Sequence, residues 1–153
     1  MEALSSPTCR IEALNLYDNR LPDTSCIQLA SVIRNNPSLK VLNLYGNRLS
    51  GPHFSDLMEA LSSPAGRIEE LLLGNNDLPD TSCIQLASVI RNNPSLKILV
   101  LSGNRLSGPH FSHLMEALSS PACRIEELHM LGNGLPGAIK KLEEQKPNMK
   151  IYY

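Results

Sequence analysis

Along this chain leucine and isoleucine alternate with polar residues in a recurring pattern, LxxLxLxxNxL, where x is any residue and Ile can stand for the first Leu. Five instances begin at Ile11, Leu39, Ile68, Leu96 and Ile125, and each carries an asparagine at its ninth position: Asn19, Asn47, Asn76, Asn104 and Asn133. Successive side chains of a strand point to opposite faces, so the first instance predicts a short strand with Leu14 and Leu16 inward and Ala13, Asn15 and Tyr17 outward. Between the strands the period changes. Cys26, Leu29, Ala30 and Ile33, and likewise Phe54, Leu57, Met58 and Leu61, follow the i, i+3, i+4, i+7 spacing of a helix with one buried stripe. Pro52 suits a first helical turn, Asp23-Thr24 offers a cap, and Pro37 and Pro64 stop the helices before the next strand.

The pattern belongs to a larger repeat, because MEALSSP occurs at Met1, Met58 and Met115, a spacing of 57 residues made of units of 28 and 29. One three-residue strand cannot stand alone, so stacked units must pair their strands in parallel. A helix is about 10 Å wide and strands are about 4.8 Å apart, so the stack curves with the strands inside. The expected fold is an α/β solenoid over residues 1–153 as a single domain, with a parallel sheet on the concave side and helices on the convex side. The five asparagines are expected to satisfy backbone groups where the chain leaves each strand, as a polar ladder inside the turn. After Leu135 the unit shortens. Residues 136–153 read as a terminal cap, with a Lys/Glu-rich helix from Ala138 to Lys146 and a last strand from Met149 to Tyr153. Met1 aligns with Met58 partway along a helix, so the array is expected to begin mid-unit, as a piece of a longer array or an engineered repeat chain.

The alternating unit, with strand starts such as CRIEEL and NPSLKVLNLYGNRL and helices such as CIQLASVIRNN, resembles the ribonuclease-inhibitor-type leucine-rich repeat, especially the repeats at the C-terminal end of NLR innate immune receptors. The resemblance covers essentially the whole chain, and it implies a horseshoe segment and a protein-recognition role. It does not extend to ribonuclease inhibition, since that inhibitor is acidic and rich in cysteine whereas this chain has four cysteines and a net charge of -1. A NACHT-type nucleotide-binding segment is also absent from the sequence.

Comparing the two long copies shows where the repeat varies. Residues 1–57 and 58–114 differ at 11 positions. Five lie in the first unit, at Ala13/Glu70, Asn15/Leu72, Tyr17/Gly74, Asp18/Asn75 and Arg20/Asp77, and three in the second, at Val41/Ile98, Asn43/Val100 and Tyr45/Ser102. All eight occupy outward strand positions or the adjoining rim, and the third copy continues the variation with Glu127, His129, Leu131, Gly132 and Gly134. The remaining three are Thr8/Ala65, Cys9/Gly66 and Asp56/His113. Surface drift would produce the same list, but it should also have reached the convex helices, where Gln28/Gln85, Ser31/Ser88, Arg34/Arg91 and Glu59/Glu116 are unchanged. A constant frame with a varied concave row is what selection or a designer produces when the scaffold is kept and the contact surface is changed. Recent duplication and consensus-style design both account for such similar copies.

The candidate ligand-binding face is therefore Ala13, Asn15, Tyr17, Asp18 and Arg20, then Val41, Asn43 and Tyr45, then Glu70, Leu72, Asn75 and Asp77. It continues through Ile98, Val100 and Ser102 to Glu127, His129 and Leu131. Tyrosines flanked by amides are common anchors at interfaces, although strand propensity also favours Tyr. Leu72, Val100 and Ile98 extend the face as an apolar patch of the kind that marks contact sites. Glu12, Lys40, Glu69, Lys97 and Glu126 alternate in sign and read as cross-strand charge pairs of the frame.

Charge and chemistry narrow the function. With 14 basic and 15 acidic residues, nothing draws in a polyanion, so neither nucleic acid nor a membrane surface is an expected partner. Four cysteines, Cys9, Cys26, Cys83 and Cys123, lie far apart without a CxxC pair, which fits reduced thiols and a cytoplasmic setting. Catalytic, phosphate-binding and metal-ligand motifs are missing, and the expectation is a non-enzymatic module without cofactor. His129 beside Glu127 could act as a base, but a shallow sheet excludes water poorly. Cys26 and Cys83 read as core residues and His53, His110 and His113 as surface or packing groups. The expected partner is a protein or peptide on the concave face. The alternative is a structural scaffold, monomeric or weakly self-associating through its N-terminal end.

Overall fold

A computed structural model describes all 153 residues. Each LxxLxL motif forms a three-residue strand: β1 Ala13–Asn15, β2 Val41–Asn43, β3 Glu70–Leu72, β4 Ile98–Val100 and β5 Glu127–His129. Lys150–Tyr152 adds β6, and the six strands form one parallel sheet in sequence order. Helices follow the strands on the other side: α1 Ser25–Asn35, α2 Phe54–Leu61, α3 Ser82–Asn92, α4 Phe111–Ser119 and α5 Pro136–Gln145. This is the α/β leucine-rich-repeat solenoid expected from the pattern.

The register is uniform, so residues at one motif position form rows across the sheet. Leu14, Leu42, Leu71, Leu99, Leu128 and Ile151 are aligned partners in the inward row, and the four between the two ends are buried. They join Leu44, Leu73 and Leu101 and the helix stripes, such as Leu57 and Leu61 or Leu86 and Ala87, in one core that runs through every unit. Removing each such leucine from water contributes about 1.5–3 kcal/mol, and every unit shares that burial with its neighbours.

Four asparagines form the ladder, and one does not. Asn104 is representative: its Oδ1 accepts from Asn76 N–H at 3.0 Å and Leu78 N–H at 3.1 Å, while its Nδ2 donates to Leu73 O at 3.0 Å and Leu101 O at 2.9 Å. Asn47, Asn76 and Asn133 are buried in the same way. Asn19 departs from the expectation: it is exposed, and its Nδ2 donates to Tyr17 O within its own unit. The other four each donate to a carbonyl of the unit before their own, and β1 is the first strand of this sheet.

Helix starts also differ from the local reading. Thr24 makes no side-chain cap, and Pro52 lies two residues before α2. Asp23 instead reaches the following unit, where Oδ2 accepts from His53 N–H at 3.2 Å, and Asp80 does the same for His110 N–H at 3.2 Å. Gly51 and Gly108 make room for these carboxylates, since a Cβ at either would lie 2.4 Å from the aspartate Oδ2. The proline at a first helical position is Pro136, in α5. At the other end, Glu2–Ser5 is a short 3-10 turn, where the matching sequence of the second copy is helical. Asn36 Nδ2, buried beside that turn, has no acceptor, while its counterpart Asn93 donates to Leu61 O at 2.9 Å.

Candidate functional site: the concave strand face

Strand pairing places the varied positions in continuous rows. One row is Ala13, Val41, Glu70, Ile98, Glu127 and Lys150; the other is Asn15, Asn43, Leu72, Val100, His129 and Tyr152. Ala13 and Asn15 are exposed, and from Val41 to His129 both rows are half-buried by their own neighbours. Leu72, Val100 and Ile98 are therefore partly shielded, less open than the alternation alone suggests. The large apolar groups that stand free on this side are Tyr17, Leu131 and Tyr152, at 57%, 62% and 49% exposure.

At one end of the face the two tyrosines stack, with ring centroids 5.6 Å apart and planes within 18°. The Tyr45 ring leans toward the third unit because Gly74 leaves the space: a Cβ there would come within 2.3 Å of the ring. Tyr45 Oη then accepts from Asn75 Nδ2 at 3.0 Å. Asn15 and Asn43 each spend their Oδ1 on a local turn, accepting from Tyr17 N–H and Tyr45 N–H at 3.1 Å, and present their Nδ2 donors outward. At the opposite end His129 Nε2 lies 2.7 Å from Glu127 Oε1, and its ring stacks on Tyr152 at 4.5 Å.

The rim positions obey a backbone rule that the copy comparison did not reveal. Asp18, Gly46, Asn75, Gly103 and Gly132 all have φ between +50° and +78°, as do Arg20, Asp77 and Gly134 two positions on. Left-handed backbone favours Gly, Asn and Asp, so the residue types at the first set answer to conformation as well as to any ligand. The second set varies more freely. Asp77 there accepts from Arg105 Nη2 at 3.1 Å.

The frame charges differ from the expectation. Of the alternating Glu and Lys residues at the second motif position, only Glu12 and Lys40 approach within 4 Å, at 3.8 Å with both side chains half or more exposed. The register is carried by backbone bonds, such as Lys40 N–H to Glu12 O at 2.8 Å.

Other reactive groups lie away from this face. Burial pushes the Cys26 and Cys83 thiols up to about 12, and both are fully enclosed. No His, Cys, Asp and Glu cluster of metal-binding geometry is present. Lys150 and Tyr152 join the face although the final strand lacks the LxxLxL signature; the KIY alternation and the uniform register place them there. The convex surface also exposes Ile27 and Ile84, at 49% and 47%, a position that both copies keep.

A family model described as Leucine Rich Repeat matches residues 38–59 and 95–116. The chain is 33% identical to mouse ribonuclease inhibitor over 154 residues, an alignment covering 98% of this chain and 34% of the inhibitor. The chain is built of leucine-rich repeats that are similar to those of ribonuclease inhibitor. The repeats are also 39% identical to bovine NACHT, LRR and PYD domains-containing protein 9 over 127 residues, covering 82% of this chain and 12% of that protein. They thus span about a third or less of the curated relatives they match. Among solved structures, the actin-binding site 2 of leiomodin-1 superposes with a TM-score of 0.77 over 95% of this chain and 86% of that one, at 14% identity. The C-terminal domain of Caenorhabditis elegans tropomodulin gives 0.74 over 96% and 89%, at 15% identity. At these identities the two structures share the fold of the repeats. No helix of the chain is long and apolar enough to cross a membrane.

Proposed function

We propose that the repeats form a non-enzymatic recognition module whose concave strand face binds a protein or peptide partner, in a cytoplasmic setting consistent with four free cysteines. One observation carries the reading: the positions that change between copies fall into adjacent rows, so Asn15, Asn43, Leu72, Val100 and His129 form one uninterrupted line across five strands. Drift restricted to tolerant sites has no reason to leave the convex helices with the single change Asp56/His113, since Gln28, Arg34 and Glu59 there are exposed. The line is also chemically graded, from stacked tyrosines with free amide donors, through a partly shielded aliphatic centre, to the His129–Tyr152 stack. Aromatic anchors beside aliphatic pockets carry most of the energy at protein interfaces. The ribonuclease inhibitor relatives support a protein as the partner class, their name stating a protein target.

The test is selection of ligands for the wild-type chain from a proteome-fragment display library, followed by affinity measurement on Tyr45→Ala/Leu72→Ala. Loss of tenfold or more with an unchanged melting temperature supports the concave site. Equal affinity transfers the site to the convex surface, where Ile27 and Ile84 are exposed.

The second reading is a structural scaffold that associates through its N-terminal end. It is favoured by the half-buried Ile11, Leu14, Leu16 and Leu21 beside the unpaired edge of β1, and by the unpartnered Asn36 Nδ2. An edge strand of this kind is a template for another chain. Light scattering across a concentration series separates the readings: a constant monomer mass removes the scaffold.

A further inference from the structure

We infer that Arg20 and Arg48 form an anion-binding rim that receives an acidic segment of the protein partner. The occupant's being a protein rests on the reading above; the anion site itself does not.

The second copy shows what this part of the frame does when its charges match. Arg105 donates to Asp77 from the neighbouring unit at 3.1 Å, so the tenth motif position of one unit lies within hydrogen-bond reach of the tenth position of the next. The first copy has the same backbone. Arg48 N–H donates to Leu21 O at 2.9 Å as Arg105 N–H donates to Leu78 O at 2.9 Å, and Pro22 bridges to Arg48 as Pro79 does to Arg105. The φ angles of Arg20 and Asp77 are +55° and +56°. At this position a guanidinium replaces the carboxylate that neutralises the partner arginine, while two positions earlier Asp18 stands in place of Asn75.

Neither Arg20 nor Arg48 has an ion pair within 4 Å or a side-chain hydrogen bond, and both are exposed. Asp18, two residues before Arg20, pairs with neither. The frame thus apposes two like charges and sets one of them on left-handed backbone that a long side chain seldom adopts. The isolated chain gains nothing from this arrangement, because an aspartate in the same frame forms an ion pair. A carboxylate from outside restores the missing charge, held in the geometry that Asp77 shows and able to bridge two planar donors.

The surroundings define the class of anion. Next along the rim the Arg105–Asp77 pair is already neutral, and Lys40, just before β2, lies against Glu12, so on this part of the rim the unpaired basic groups are Arg20 and Arg48. A nucleic-acid backbone needs a longer basic track. Two guanidiniums, with the exposed Tyr17 three residues before Arg20 in the same turn, suit one or two carboxylates next to an apolar or aromatic residue of a peptide.

The probe is hexaglutamate, titrated into the full 15N-labelled chain at low salt while the arginine Nε–Hε resonances are followed. Saturable shifts at Arg20 and Arg48 with Arg105 unmoved, lost in 0.5 M NaCl and at least fivefold weaker in Arg20→Asp, are the expected result. Arg20→Asp recreates the residue pair of the second copy, so it keeps the fold; an amide spectrum confirms this in the same sample. Equal shifts at Arg105, undiminished binding by Arg20→Asp, or no shift at all would overturn the rim site. Tighter binding of hexathymidylate than of hexaglutamate would overturn the peptide assignment. Failure here leaves the Tyr45→Ala/Leu72→Ala test of the concave face untouched, so the two readings fail separately.

Discussion

His110 is bound twice by Asp80, an aspartate from the preceding unit: Asp80 Oδ2 accepts from the His110 backbone N–H at 3.2 Å and meets its Nδ1 at 2.9 Å. In the first copy the backbone bond to Asp23 is kept, but the His53 ring turns to Asp56 at 3.2 Å on its own helix. His113 replaces Asp56 in the second copy, so the only carboxylate left for the ring is Asp80. One residue on the convex face thus decides whether a histidine braces its own helix or the junction between units.

The Asp80 contact makes stability depend on pH. Hydrogen bonding from the His110 ring, then from its backbone N–H, holds the Asp80 carboxyl below the usual aspartate value. A group whose folded value is depressed stabilises above its unfolded value of about 3.9 and loses that contribution as pH falls through the lower folded value. Asp80→Asn is expected to lower the melting temperature at pH 7, with the gap to wild type closing as the pH drops below about 4. A gap that stays constant as the pH falls from 7 through the acid range would assign the effect to packing.

The asparagine ladder predicts a graded series. Asn76→Ala removes Nδ2 donation to Leu44, Leu73 and Gly74 carbonyls and the acceptor for Leu49 N–H, all in the interior. Leaving such groups unpaired costs about 1–3 kcal/mol each where no water enters, so a loss of roughly 3 kcal/mol or more is expected in urea unfolding. Asn19→Ala, at an exposed position with one local bond, is expected to cost less than about 1 kcal/mol. Equal losses would contradict the burial difference.

Gly74→Ala tests the shelf beneath Tyr45. The added methyl group occupies the place of the ring edge, so Tyr45 must swing away and release Asn75. The near-UV circular dichroism of the stacked tyrosines should fall, while the far-UV spectrum stays the same. Gly103→Ala is expected to be worse for stability, by about 1–2 kcal/mol, because it combines φ of +70° with a clash against Asn75 Oδ1.

Thiol reactivity should separate the cysteines by burial. Cys26 and Cys83, fully enclosed and pushed up to about 12, are expected to resist iodoacetamide at pH 8 until denaturant is added, with mass spectrometry locating the label. Rapid native labelling of either would show that α1 or α3 opens locally.

The solenoid was legible because its signals are local and repeated. A strand's alternation, a helix stripe and a ninth-position asparagine each occupy a few residues, and five copies in register leave little room for another reading. The rows of the concave face followed from the same alternation. The relationships that stacking creates were hidden, because each joins residues about one unit apart: Asp23 to His53, Asn75 to Tyr45, Arg105 to Asp77. Sequence neighbours made Thr24 look like a cap and Asn19 look like a ladder rung. A cap needs a nearby amide and a rung needs a neighbouring carbonyl, and which strand lies alongside settles both. Left-handed backbone at Asp18, Arg20, Asn75 and Asp77 was equally unreadable, since it arises where the turn must join a strand to a helix wider than the strand spacing. Periodic burial is a property of the chain pattern alone, whereas side-chain partnership across units is a property of the distance at which the units pack.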